Sequence, residues 1–214
     1  MTTNHRFRDR LGTALCAGLI SLSLLGGCAS LLPKPPPPPT LFVLDDAPPA
    51  TAPAPQPGAS APTLIVNAPR AAAGFDTRYI VYVRHAHEIE YFADSQWVDT
   101  PAQMLGSLIV RAIEQTGAFH AVLSAPTGAA GELRLDTELI RLQHDFTGSP
   151  SRVRLTLRAV LLDTSTRRVL GSREFDASVP SASDDPAGGV AAANLAAQRV
   201  LAELATFCAE AARR

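Results

Sequence analysis

Cysteine, long apolar runs and an excess of charge of either sign are all scarce in this chain of 214 residues. Three cysteines, at positions 16, 28 and 208, are too few for a disulfide framework to stand in for a hydrophobic core. No apolar stretch reaches the roughly 20 residues that a helix needs to cross a hydrocarbon core. Nineteen Lys and Arg against 20 Asp and Glu leave a formal charge of -1, which excludes the basic footprint of a nucleic-acid binder. Catalytic signatures are missing too: there is no G-x-S-x-G, no H-E-x-x-H and no glycine-rich phosphate loop. His85-x-His87 is the one metal-like pair, and in a strand both rings would face one side. Without an evident third ligand, solvated or structural histidines are the simpler reading. Neither an enzyme, a metal nor a cofactor is expected.

What is present begins at the N-terminus. Arg6, Arg8 and Arg10 precede an uncharged apolar stretch at 11–25, the length of a signal-peptide core and too short for a membrane span. It ends at Leu25-Gly26-Gly27-Cys28, which resembles the lipobox of bacterial lipoproteins. That resemblance implies cleavage before Cys28, acylation of its thiol with diacylglycerol and a further chain such as palmitate, and a membrane anchor made of lipid alone. Ala29 in place of aspartate then favours the outer membrane over the inner one. Loss of 1–27 removes three arginines and Asp9 and brings the net charge to -3. Cys208 is then left without an intramolecular disulfide partner.

Proline carries the next feature. Pro35 to Pro39 run unbroken, and polyproline II at about 3.1 Å per residue lets the dozen residues 29–40 hold a domain roughly 35 Å from the lipid surface. A second Pro/Ala-rich stretch at 47–62 has too few large apolar residues to fold. Between them, residues 41–45 read as a short strand. The expected organisation is a signal peptide at 1–27, a lipidated tether at 28–62 and one domain at 63–214.

Within that domain, runs at 64–66, 79–83 and 89–92 read as strands. Met104, Leu105, Leu108, Ile109, Ala112 and Ile113 then fall on one face of a helix, with Thr100 as cap, Pro101 at its first position, Gln103 completing a capping box and Gly117 at its end. A strand is expected at 119–123. Leu133, Leu135, Thr137 and Leu139 alternate with charged residues, as do Val153, Leu155, Leu157, Ala159 and Leu161, which predicts an antiparallel meander with one buried face. The phase slips at Leu139-Ile140, so a bulge is expected there. A polar turn at 163–168 leads to a third strand at 169–177. The last helix starts at Asp185-Pro186 and repeats apolar residues from Val190 to Ala211 at steps of three and four. A stripe laid on a sheet accounts for it better than a coiled coil of barely three heptads. The fold class is α/β or α+β: one domain, a mixed sheet with an antiparallel meander, and two principal helices.

The segments Leu41-Phe42-Val43-Leu44, Gly74-Phe75-Asp76-Thr77-Arg78-Tyr79-Ile80-Val81-Tyr82 and above all Glu90-Tyr91-Phe92-Ala93-Asp94-Ser95-Gln96-Trp97-Val98-Asp99-Thr100-Pro101 resemble the auxiliary lipoproteins of ABC-type transporters, the PqiC-like group that works with Mce-domain proteins. Thr116-Gly117-Ala118-Phe119 and Ala191-Ala192-Ala193-Asn194-Leu195-Ala196 continue the likeness. It implies an accessory role in moving lipid between membranes, with an Mce-domain protein and an ABC permease and ATPase as partners, and leaves room for a homo-oligomer. The proline-rich insertion after Leu44 departs from the family pattern and leaves open whether 41–45 pairs into the sheet.

Five residues are candidates for partner contact. Tyr91 and Trp97 either pack in the core with Phe92 or form an exposed docking patch. Arg152, Arg154 and Arg158 share a strand face and meet either acidic partner groups or Asp136 and Glu138 across the sheet. Three functions remain: a docking component of a lipid-transport assembly, a lipid-binding shuttle, and an envelope hydrolase. The shuttle requires an apolar cavity of about 300–1,000 Å³ and the hydrolase a convergent polar site, whereas a filled core with no deep apolar pocket favours the docking component.

Overall fold

The sheet is organised around one long strand. The computed structural model describes residues 37–45, 57–58 and 60–213. The signal segment and Cys28 lie outside the described residues, as does most of both proline stretches. Residues from Pro39 onward form one compact unit, a single α+β domain.

Strand β7 (Leu133–Asp145) is paired along one edge with β8 (Arg152–Asp163), which pairs in turn with β9 (Val169–Pro180), giving the antiparallel meander. Leu133, Leu135, Thr137 and Leu139 are buried as their alternation requires, and the register shifts between Leu139 and Arg141, where Ile140 is the extra residue. Along its other edge β7 takes three short parallel strands in series: β2 (Thr63–Val66), β3 (Arg70–Ala71) and β4 (Tyr79–Val83). Beyond β2 lies β6 (Ala121–Ser124), parallel to it. Beyond β4 lies antiparallel β5 (Glu90–Trp97), and on β5 lies β1 (Thr40–Phe42), which runs parallel to it.

Polar sequence misplaces several strand ends. β5 continues well past Phe92 through Asp94, Ser95 and Gln96, because pairing to β1 on one side and β4 on the other satisfies its backbone whatever the side chains are. For the same reason β9 continues past Ala177 to Pro180, opposite Arg152.

Helices α1 (Pro101–Glu114) and α2 (Pro186–Ala211) pack against each other and on the sheet, α1 over β6 and β7 and α2 over β8 and β9. Leu105, Leu108, Ile109 and Ile113 of α1 are buried, with Met104 and Ala112 at the margin. Gly117, in the left-handed region at φ 63°, closes α1 by donating its N–H to the Glu114 carbonyl at 3.1 Å. At its other end Thr100 occupies the cap position, but its hydroxyl makes no capping hydrogen bond. The Asp99 carboxylate accepts from the Thr100 N–H at 2.7 Å instead. In α2 the predicted start holds: the Asp185 carboxylate accepts from the Gly188 N–H at 2.8 Å. The alanine-rich stripe of α2, including Val190, Ala193, Ala197, Val200 and Leu204, is buried in the shared core, as a helix laid on a sheet requires.

Candidate docking surface

With both helices on one side of the sheet, the other side shows what it offers to a partner. Over the meander that outer face is charged and satisfies itself. Arg158 stands between Glu138 and Glu174 on the flanking strands and reaches both, at 3.4 and 3.2 Å. Arg154 lies 3.9 Å from Asp145, and Arg152 is directly across the ladder from the same aspartate. Asp136 is taken by Arg134 at 3.3 Å and by the Asn67 amide at 2.6 Å. The three arginines singled out in the sequence are thus brought together, but cross-strand carboxylates meet Arg154 and Arg158.

The aromatic candidates divide. Trp97 is 3% exposed and packs in the core, its backbone carbonyl accepting from the Arg78 guanidinium at 3.2 Å; burial removes it as a partner contact. Tyr91 is 45% exposed, and its ring lies 5.3 Å from that of Tyr79. A register shift in the β4–β5 pairing explains the division: Tyr91 and Trp97 share strand parity, but Tyr91 lies opposite Val81 and Gln96 opposite Tyr79, so extra β5 residues lie between them and reverse the exposed face. On β1, Phe42 and Leu44 turn toward the core, whereas Leu41, in register with Gln96 and through it with Tyr79, turns outward. Val43 and Val98 continue that outward row. Asn194 of α2 holds the chain just past β1, its amide donating to the Val43 carbonyl at 3.3 Å and accepting from the Asp45 N–H at 2.9 Å.

His85 and His87 lie in the turn between β4 and β5, not in a strand, and His85 pairs with Glu88 at 3.4 Å. No group of three or more His, Cys, Asp or Glu close enough to hold a metal occurs among the described residues. One polar cluster had no signal in the sequence. His144, buried against α2, shares a 2.9 Å hydrogen bond with the Ser151 hydroxyl, which donates to Asp184. Because Ser151 gives its proton to Asp184, it accepts from Nε2–H, and the bare Nδ1 faces Gly189 without a partner. Burial drives the His144 pKa down, against the opposing pull of Asp184, Asp185 and Asp145. In a nucleophilic triad the carboxylate orients the histidine. Here it holds the serine, and both Ser151 and His144 are buried.

The apolar space beneath Trp97, between Ile80, Leu142, Val153 and Ala193, amounts to about 10 Å³. A larger cleft of about 310 Å³ is polar, lined by Asn67, Arg70, Arg134, Asp136 and Thr137. No helix among the described residues is long and apolar enough to cross a membrane.

Comparison with known proteins adds the family. The model of the ABC-type transport auxiliary lipoprotein component matches residues 42–205. A crystal structure of a Xanthomonas campestris protein, placed under the family model DUF330, superposes with a TM-score of 0.69 at 26% identity, over 81% of this chain and 97% of that one. A hypothetical protein of Chlamydia trachomatis shares the fold at a TM-score of 0.52 and 10% identity, over 72% of this chain and 98% of its own. No curated protein matches the sequence. With more than half its length matched by one family model, the chain belongs to the ABC-type transport auxiliary lipoproteins, a family of transport components rather than of enzymes.

Proposed function

We propose that this protein is an accessory subunit of an ABC/Mce-type lipid transport system, anchored through acylated Cys28 to the outer membrane, and that it docks a transport partner in the periplasm instead of carrying or processing lipid itself. The observation that carries this reading is the packing between the sheet and α2: the apolar space beneath Trp97 is about 10 Å³, whereas a bound lipid tail needs a cavity of hundreds, and the larger cleft at Asn67 and Asp136 is polar. Family membership supplies the association with a transporter, and the open outer face of the sheet supplies surface for contact.

The proline-rich tether fits the same role, because a stiff spacer of tens of ångströms sets the domain off from its membrane. The test is recovery of partners. Purification of the full-length acylated protein from crosslinked envelopes should bring down an Mce-domain protein with the permease and ATPase, and cells lacking the protein should show a permeability or lipid-asymmetry defect. Recovery with no transport subunit would overturn the proposal.

A further inference from the structure

Exposed large apolar side chains are not scattered over this domain. Of the eight among the described residues, six lie on or beside β1, β4 and β5: Leu41, Val43, Tyr79, Ile89, Tyr91 and Val98. Register puts Leu41, Gln96 and Tyr79 in one row across three strands, and the Tyr79–Tyr91 ring contact extends it. The result is an apolar, aromatic half of the outer face beside the charged, self-paired half over the meander. Tyrosine in such a setting gives large contact area at low entropic cost and is typical of interface anchors.

The charge around this half is one-sided. Residues 40–45 and 74–99 carry six carboxylates against two arginines, a net of -4. Both arginines are engaged, Arg78 with the Trp97 carbonyl and Arg84 with Glu90 and the Tyr82 ring. Asp45, Asp76, Glu88, Asp94 and Asp99 are all exposed. Exposed carboxylates beside this half repel an anionic lipid surface, and two copies docked face to face through it would set acid against acid; a head-to-tail copy would offer the meander face, where Arg154 and Arg158 already meet carboxylates of their own chain. Electrostatic complementarity calls for a protein that offers an apolar contact edged with lysine or arginine.

We propose that the Leu41–Tyr79–Tyr91 face is the docking site for a basic-rimmed protein subunit of the transport system. This rests on the accessory-subunit reading given above and names the surface it uses. The test places a photo-crosslinking side chain at Leu41, at Tyr91 or, on the meander's outer face, at Ser172, in the full-length protein in its own envelope. Positions 41 and 91 should trap one transport subunit through a peptide rich in Lys or Arg, and position 172 should not. Tyr79→Ser with Tyr91→Ser should cut the adduct from position 41 by about tenfold or more at an unchanged melting midpoint, as loss of anchor aromatics does. Asp94→Lys, which leaves both rings in place, should also weaken it.

Adducts at 41 and 91 only with lipid, with a second copy or within the chain itself would overturn the proposal. Capture of the transport subunit from 172 alone would overturn it while leaving the accessory role standing. Absence of any transport subunit from all three positions would overturn both.

Discussion

At the scale of single residues, the buried His144 is held from two sides, by Ser151 and by the backbone of α2 at Gly189. A Cβ on Gly189 would stand 2.5 Å from His144 Nδ1, so the glycine is there for space. Alanine normally stabilises a helix interior by about 1 kcal/mol over glycine. Here Gly189→Ala should instead destabilise by about 1–3 kcal/mol through overpacking, read as a fall in the denaturation midpoint. The titration of His144 has a definite sign as well. Its folded pKa lies below the ordinary 6.5, chiefly through burial, so the unfolded chain takes up the proton first. The contribution is fully present above pH 6.5 and lost as pH falls through the folded value. The melting midpoint should therefore drop between pH 8 and pH 5, and the drop should shrink in His144→Gln. Cys208 is the opposite kind of group: burial pushes its thiol up to about 12, and in the folded protein it should stay unreacted toward thiol reagents at pH 8.

At the scale of elements, the two helix starts make a matched pair. Asp185 uses its carboxylate on the Gly188 N–H, and Asp185→Ala should cost about 1 kcal/mol. Thr100 has the sequence of a cap without its hydrogen bond, and Thr100→Ala should stay within about 0.5 kcal/mol. Thermal melts of the two variants side by side decide it. The contrast shows where sequence is legible. Periodicity located the meander, both helices and the bulge at Ile140, because burial on one face imposes a period on side chains. Backbone pairing imposes none, so the far half of β5, with Asp94, Ser95 and Gln96, was not visible as strand. The candidate surface was half legible for the same reason. Tyr91 and Trp97 have the same strand parity, and the register shift in β5 that exposes one and buries the other leaves no local mark in the sequence. Tyr79, equally exposed, carried no separate signal. The His144–Ser151–Asp184 cluster joins residues up to 40 positions apart and could not be read from any local pattern.

At the scale of the whole molecule, the proposed role needs acylation at Cys28 to hold the domain at a membrane. Cys28→Ala should abolish acylation and release the mature protein from membranes, checked by mass and by fractionation; a variant still acylated and membrane-bound would contradict the anchor. The asymmetry of the sheet gives the tethered domain a direction: helices cover one side, and the other presents a charged half that satisfies itself beside an apolar half that does not. In the proposed role this domain docks and does not carry lipid. Native mass spectrometry of the purified mature protein, after incubation with phospholipid vesicles and removal of the vesicles, separates docking from carriage. A domain that only docks gives a protein mass free of non-covalent lipid; one lipid retained per chain means that it carries.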